Sequence, residues 1–117
     1  MVVAGIGLAG WGVGSGLPAN GRAFAGGAVV IEIKNFQFVP PGVTITRDQT
    51  VRWINADVAN HQVSSGTVEA DRPRPDGRVA SPLLFHGDGF SATFGASGIY
   101  PYYCGVHPFM RGTIVVK

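Results

Sequence analysis

Three residues near the end of the chain are placed to do redox chemistry together: Cys104, His107 and Met110, spaced Cys-x2-His-x2-Met. Cys104 is the only cysteine, and Met110 is one of two methionines. A thiolate, an imidazole and a thioether this close in sequence suit a soft, redox-active metal. Zinc takes Cys, His, Asp and Glu rather than Met. Iron–sulfur clusters need more thiolates than one. Two histidines, a cysteine and a weak axial methionine form the ligand set of blue-copper electron-transfer sites. His61 is the obvious source of the second imidazole. The expected site is therefore one copper ion held by His61, Cys104, His107 and Met110.

Taken singly, none of these residues is persuasive. A lone cysteine is usually a small buried hydrophobe, and a lone methionine usually fills core gaps. A lone histidine before a strand is more often surface or hydrogen-bonded core than a ligand. The constellation carries the argument, because a compact loop can turn all three side chains inward onto one ion. His86, in Phe85-His86-Gly87-Asp88-Gly89, has no ligand spacing and reads as an exposed turn residue.

The elements that must position the ligands are strands. Alternation of apolar and polar residues over 29–34 predicts a half-buried strand, and Pro40-Pro41-Gly42 marks a turn after it. Further strands are expected at 43–46 and 50–55, with Val51 and Trp53 on one face. After the loop 56–60, His61 opens a short strand. Residues 65–82, broken by Pro73, Pro75 and Gly77, read as a long surface loop. The copper loop lies between strands expected at 99–103 and 112–117. No amphipathic helix of useful length is visible. About seven to eight short strands with frequent turns predict an all-β, Greek-key sandwich or barrel.

Composition narrows the function classes. The chain has 117 residues, enough for one domain with a modest core. Its net charge is only +2, with charged residues at 14% and no basic stripe, so nucleic-acid binding has no support. One cysteine excludes an internal disulfide. Residues 2–17 are apolar or glycine apart from Ser15, and Ala23-Phe24-Ala25 is a small-x-small pattern. Residues 1–25 are thus expected to be a signal peptide or leader, cleaved after Ala25, and residues 26–117 the copper-binding domain. That places the protein in the periplasm or otherwise outside the cytosol. An uncleaved membrane tether through residues 1–17 is the competing reading, although so short and glycine-rich a run spans a bilayer poorly.

The segment Tyr103-Cys104-Gly105-Val106-His107-Pro108-Phe109-Met110-Arg111-Gly112 resembles the copper loop of the cupredoxins, most closely the amicyanin group. Phe38-Val39-Pro40, Val51-x-Trp53-x-Asn55 and His61 are similar to the cupredoxin pattern further upstream. The likeness covers about residues 29–117. It implies a plastocyanin-like fold and imidazole ligation by His61 and His107. It also implies a Cys104 thiolate bond and an axial Met110 at longer range. Three positions depart from the pattern. Gln62 stands where Asn is common, Gly105 where Thr or Ser is common, and Val106 where amicyanins tend to carry Pro. The usual hydrogen bond between the two ligand loops is therefore expected to be absent or rebuilt. If the Val106 N–H points at the Cys104 sulfur, it would favour Cu(I) and raise the potential.

The expected function is single-electron transport between redox partners, with no enzymatic activity. His107, Pro108 and Phe109 would form an apolar patch for transient docking, and the electron would leave by the His107 ring edge. The amicyanin resemblance implies an amine dehydrogenase and a c-type cytochrome as partners of a monomer. A copper chaperone or store, binding Cu(I) without redox turnover, is the alternative. Such proteins more often present several Met or His residues in an open cluster. Multicopper oxidases and nitrite reductases need extra histidines, commonly as His-x-His, and this chain has none.

Overall fold

A computed structural model describes residues 22–23 and 27–117. Most of the expected leader, residues 1–25, thus lies outside the described residues. Only Arg22–Ala23 of it is seen, as a short strand (β1) beside Val29 and Val30.

Nine further strands follow: β2 Val29–Lys34, β3 Gln37–Val39, β4 Gly42–Ile45, β5 Gln49–Asn55, β6 Ser64–Glu69, β7 Arg72–Ala80, β8 Gly89–Phe94, β9 Gly98–Tyr103 and β10 Arg111–Val116. There is no helix among the described residues. One sheet runs β1-β2-β5-β8, with β3 also on β2, and the other runs β4-β10-β9-β6-β7. Neighbours distant in sequence imply the crossovers of a Greek-key sandwich. The all-β expectation is met.

Alternation fixes which faces meet. In β2, Val29, Ile31 and Ile33 point inward, and β5 turns Val51, Trp53 and Asn55 to the same side. The parallel register sets Ile31 against Trp53 and Ile33 against Asn55. From the other sheet, Ile114 and Val116 of β10 and Tyr100 and Tyr102 of β9 complete the core. Trp53 is buried and packs edge-on to Tyr102, their ring centroids 5.4 Å apart.

Two expectations are corrected here. Residues 65–82 are not a loop: β6 and β7 form a hairpin at the edge of the second sheet. Pro73 and Pro75 alternate with arginines, so both missing N–H groups fall on one side of β7. An edge strand has one side without a ladder, which is where proline is tolerated. The turn expected at Pro40-Pro41-Gly42 is a bend at 40–41, and the residues just before it form a further strand. Lys34 pairs with Gln37 across the two-residue turn Asn35-Phe36, and β3 buries Phe38. His61 itself pairs as an isolated bridge with Leu84, and the regular strand begins at Ser64.

Candidate metal centre

The site forms at the end of the sandwich where β5 and β9 finish. Tyr103 pairs with Arg111, and the loop between them is closed by Cys104 N–H donating to the Met110 carbonyl at 3.1 Å. Met110 N–H in turn donates to the His107 carbonyl at 2.9 Å. These bonds fold the loop back on itself and bring Cys104 and His107 to one side.

His61 arrives from the other loop. Its backbone makes a reciprocal pair with Leu84, N–H to carbonyl at 3.0 and 2.7 Å. Asn55, fully buried, braces the intervening loop by donating to the carbonyls of Ala59 and Leu84 and accepting from Asp57 N–H.

The result is a compact donor set. Cys104 Sγ lies 3.7 Å from His61 Nδ1 and 3.9 Å from His107 Nδ1. The ligand atoms of these three residues all lie within 4.8 Å of one another. Metal bonds of about 2.0–2.3 Å would set sulfur and nitrogen roughly 3.5 Å apart in a tetrahedral site. The observed spacing therefore fits three donors around one ion. Cys104 and His61 are 0% exposed, whereas His107 is half-buried. Met110 is buried at the end of the same loop.

Two backbone amides face the sulfur: Gln62 N–H at 3.4 Å and His107 N–H at 3.3 Å. These contacts fix the position of the sulfur between the two ligand loops. Val106 N–H is not a donor to the sulfur, so the expected contact is replaced by one from His107. Val106 lies half-exposed on the loop instead.

The departures at 62 and 105 are coupled. A Cβ built on Gly105 would run into the Gln62 side-chain amide. Gln62 fills that space, and its Nε2 donates to the Ser81 carbonyl at 3.0 Å. The two ligand loops are joined by the Gln62 N–H···Sγ bond and by this packing.

Sequence reasoning missed Asp57. Its Oδ2 lies 2.8 Å from His61 Nε2, fixing the imidazole so that Nδ1 faces the sulfur. The same carboxylate accepts N–H bonds from Asn35 at 2.7 Å and Phe36 at 2.9 Å. Burial works to raise the Asp57 carboxyl, but the Phe36 amide, the His61 ring and the Asn35 amide together hold it below its ordinary value. An acid four residues before a candidate ligand histidine was the available signal. His86 is exposed, as expected, and its Nδ1 lies 2.9 Å from the Asp57 carbonyl.

Residues 25–117 match the family of copper binding proteins described as plastocyanin/azurin. The chain belongs to that family. Among curated relatives, the cupredoxin is 35% identical to amicyanin of Paracoccus versutus over 77% of this chain. That match spans 65% of the relative's own length, just under two thirds. Amicyanin of Paracoccus denitrificans is 30% identical over 86% of this chain and 73% of that protein. In three dimensions, a reduced tryptophan-to-tyrosine mutant of amicyanin superposes with a TM-score of 0.67 at 30% identity, covering 80% of this chain and 85% of that one. A purple cupredoxin from Nitrosopumilus maritimus also gives 0.67 at 29% identity, covering 75% and 98%. The cupredoxin fold expected from the copper loop is thereby established, with amicyanins prominent among the similar proteins.

Proposed function

We propose that this cupredoxin is a type 1 copper protein that carries single electrons between redox partners, with His61, Cys104, His107 and Met110 as ligands. The observation that carries the reading is the Cys104 sulfur, fully buried and flanked by two imidazole Nδ1 atoms at 3.7 and 3.9 Å. Copper, when bound, supplies the one-electron couple. The chain's own work is to keep the donor set in place. Asp57 orients His61, two amides donate to the Cys104 sulfur, and the closed loop fixes His107 and Met110 beside it.

Partners dock at the loop tip. His107 and Pro108 are half-buried, and Phe109 is 67% exposed beside them. An open groove of about 600 Å³ continues the patch along Phe36, Val39, Pro41 and Arg111. A small apolar patch suits brief encounters between redox proteins. The resemblance of the Cys104 loop implies an amine dehydrogenase as donor and a c-type cytochrome as acceptor, with this protein as a monomer. The protein is exported, with cleavage after Ala25; the intact mass of the exported form tests this.

The deciding experiment adds Cu(II) to the purified protein and records visible and electron paramagnetic resonance spectra. Intense blue absorption with narrow copper hyperfine splitting is expected, and Met110→Ala should alter both. A colourless protein that retains only Cu(I) would instead identify a chaperone or store.

A further inference from the structure

The turn between β2 and β3 is built at a cost. Asn35 and Phe36 have φ of 54° and 57°, the left-handed conformation at both central positions of a two-residue hairpin. Such turns strongly prefer Asn-Gly, since glycine alone adopts this backbone without penalty. Asn at the first position follows the rule; Phe at the second does not. A left-handed conformation is unfavourable for a non-glycine residue, and for a bulky one such as Phe it is rare.

The side chain explains why a ring stands there. Phe36 meets the His61 ring edge-on, with centroids 5.2 Å apart and planes at 85°. It meets His107 the same way, at 5.0 Å and 81°. On its outer side it stacks with Phe109 at 6.4 Å and 21°. One ring thus touches both imidazoles and is itself 40% exposed, at the surface over them. The backbone beneath is pinned by Asp57, the carboxylate that also holds His61. Strained turn and ligand histidine therefore share one anchor.

We propose that Phe36 is a positioning residue for the metal centre. The Asp57-pinned turn presses its ring against the imidazoles of His61 and His107, fixing their planes and restraining His107 from swinging outward. The half-buried His107 has most to gain, because His61 is already fixed by Asp57 and the Leu84 bridge. Strain at a functional site persists where the surroundings over-determine it, and here three hydrogen bonds to one carboxylate do so. The inference rests on His61 and His107 being ligands, as proposed above.

The test compares Phe36→Leu, which keeps apolar bulk without the ring, with Phe36→Tyr, which restores the ring. Nuclear magnetic resonance relaxation of the histidine rings is read in the metal-free protein, and Cu(II) loss to a chelator in the loaded protein. Phe36→Leu should increase His107 ring mobility and speed copper loss about tenfold, in the range of changes to groups that orient ligands. Phe36→Tyr should restore both readouts to within about twofold of the parent. The proposal is overturned if Phe36→Leu leaves both readouts unchanged, or if it lowers only the melting temperature. It is equally overturned if Phe36→Tyr behaves like Phe36→Leu. Because ring mobility is read without metal, a parent protein that fails to form a blue site would sink the proposed function and leave this result standing.

Discussion

The Asp57 carboxylate meets His61 Nε2 at 2.8 Å, and His61 Nδ1 then faces the Cys104 sulfur at 3.7 Å. One acid thereby chooses which nitrogen of a fully buried imidazole is free to bind metal. Removing it leaves that imidazole and two turn amides without their acceptor. Asp57→Ala should lose about 1–3 kcal/mol of stability, chiefly because the buried His61 Nε2 is left without its partner. It should also lower metal affinity about 10–100-fold. Asp57→Asn keeps one acceptor oxygen and should fall between the two. Urea denaturation and competitive metal titration read these effects, and an Asp57→Ala protein of unchanged affinity would remove Asp57 from the site.

Local spacing made the Cys104 loop legible, because three ligand types in one loop need no tertiary information. His61 was reachable as the histidine that precedes a strand, and Trp53 as an inward residue of an alternating run. Asp57 left only the weak signal of an acid four residues before His61, and Phe36 left none, because their roles depend on a turn from β2 folding over a loop from β5. Nothing in Asn35-Phe36 alone announces a hairpin, since the second position lacks its usual glycine. The β6–β7 hairpin was hidden for another reason. Pro73 and Pro75 read as breakers, and only the position of β7 at a sheet edge makes them harmless.

Gly105 and Gln62 form a complementary pair, and the pairing predicts non-additive mutants. Gly105→Thr restores the residue type common in the family but drives its Cβ into the Gln62 amide. The struck atoms are the far end of a flexible side chain, so the loss should be about 0.5–1.5 kcal/mol, the hydrogen bond to Ser81 that the amide gives up as it swings away. In a Gln62→Ala background the same change should be better tolerated, with a coupling above about 0.5 kcal/mol. A double-mutant cycle from chemical denaturation checks this; strictly additive losses would show that the two positions do not share the space.

Acid should weaken the β6–β7 edge through Asp76. Burial pushes this carboxyl up, but hydrogen bonds from Ser65 Oγ, the Arg78 amide and the Arg78 guanidinium outweigh it and hold the group below its ordinary value. A lowered folded-state value means the contribution is complete above the unfolded value, about 3.9 for aspartate, and is lost as pH falls through the folded one. Asp76→Asn should therefore be less stable than the parent at neutral pH, with the gap closing below about pH 4. Added salt should narrow the gap, since the ion pair with Arg78 lies near the surface. A gap that stays constant with pH would assign the loss to packing.

Tyr102 shows where the core carries an unmet polar group. Its hydroxyl and the Trp53 indole N–H are both buried without a hydrogen-bond partner, although the rings meet edge-on. Burial pushes the hydroxyl well above its ordinary value, and the nearby indole N–H offsets this only in part without forming a well-aligned bond. The tyrosine ring fits because position 112 is glycine; any Cβ there would strike it. Tyr102→Phe keeps the ring and its contacts with Phe38 and Trp53 while deleting the stranded hydroxyl. It should raise stability by about 1 kcal/mol, which for a domain of this size is a melting shift of roughly 4–8 °C. The metal centre, on the neighbouring Cys104 loop, should keep its spectrum. A fall in melting temperature would mean that the hydroxyl and the Trp53 indole do bond in solution, and that the pair stabilises the core under the copper loop.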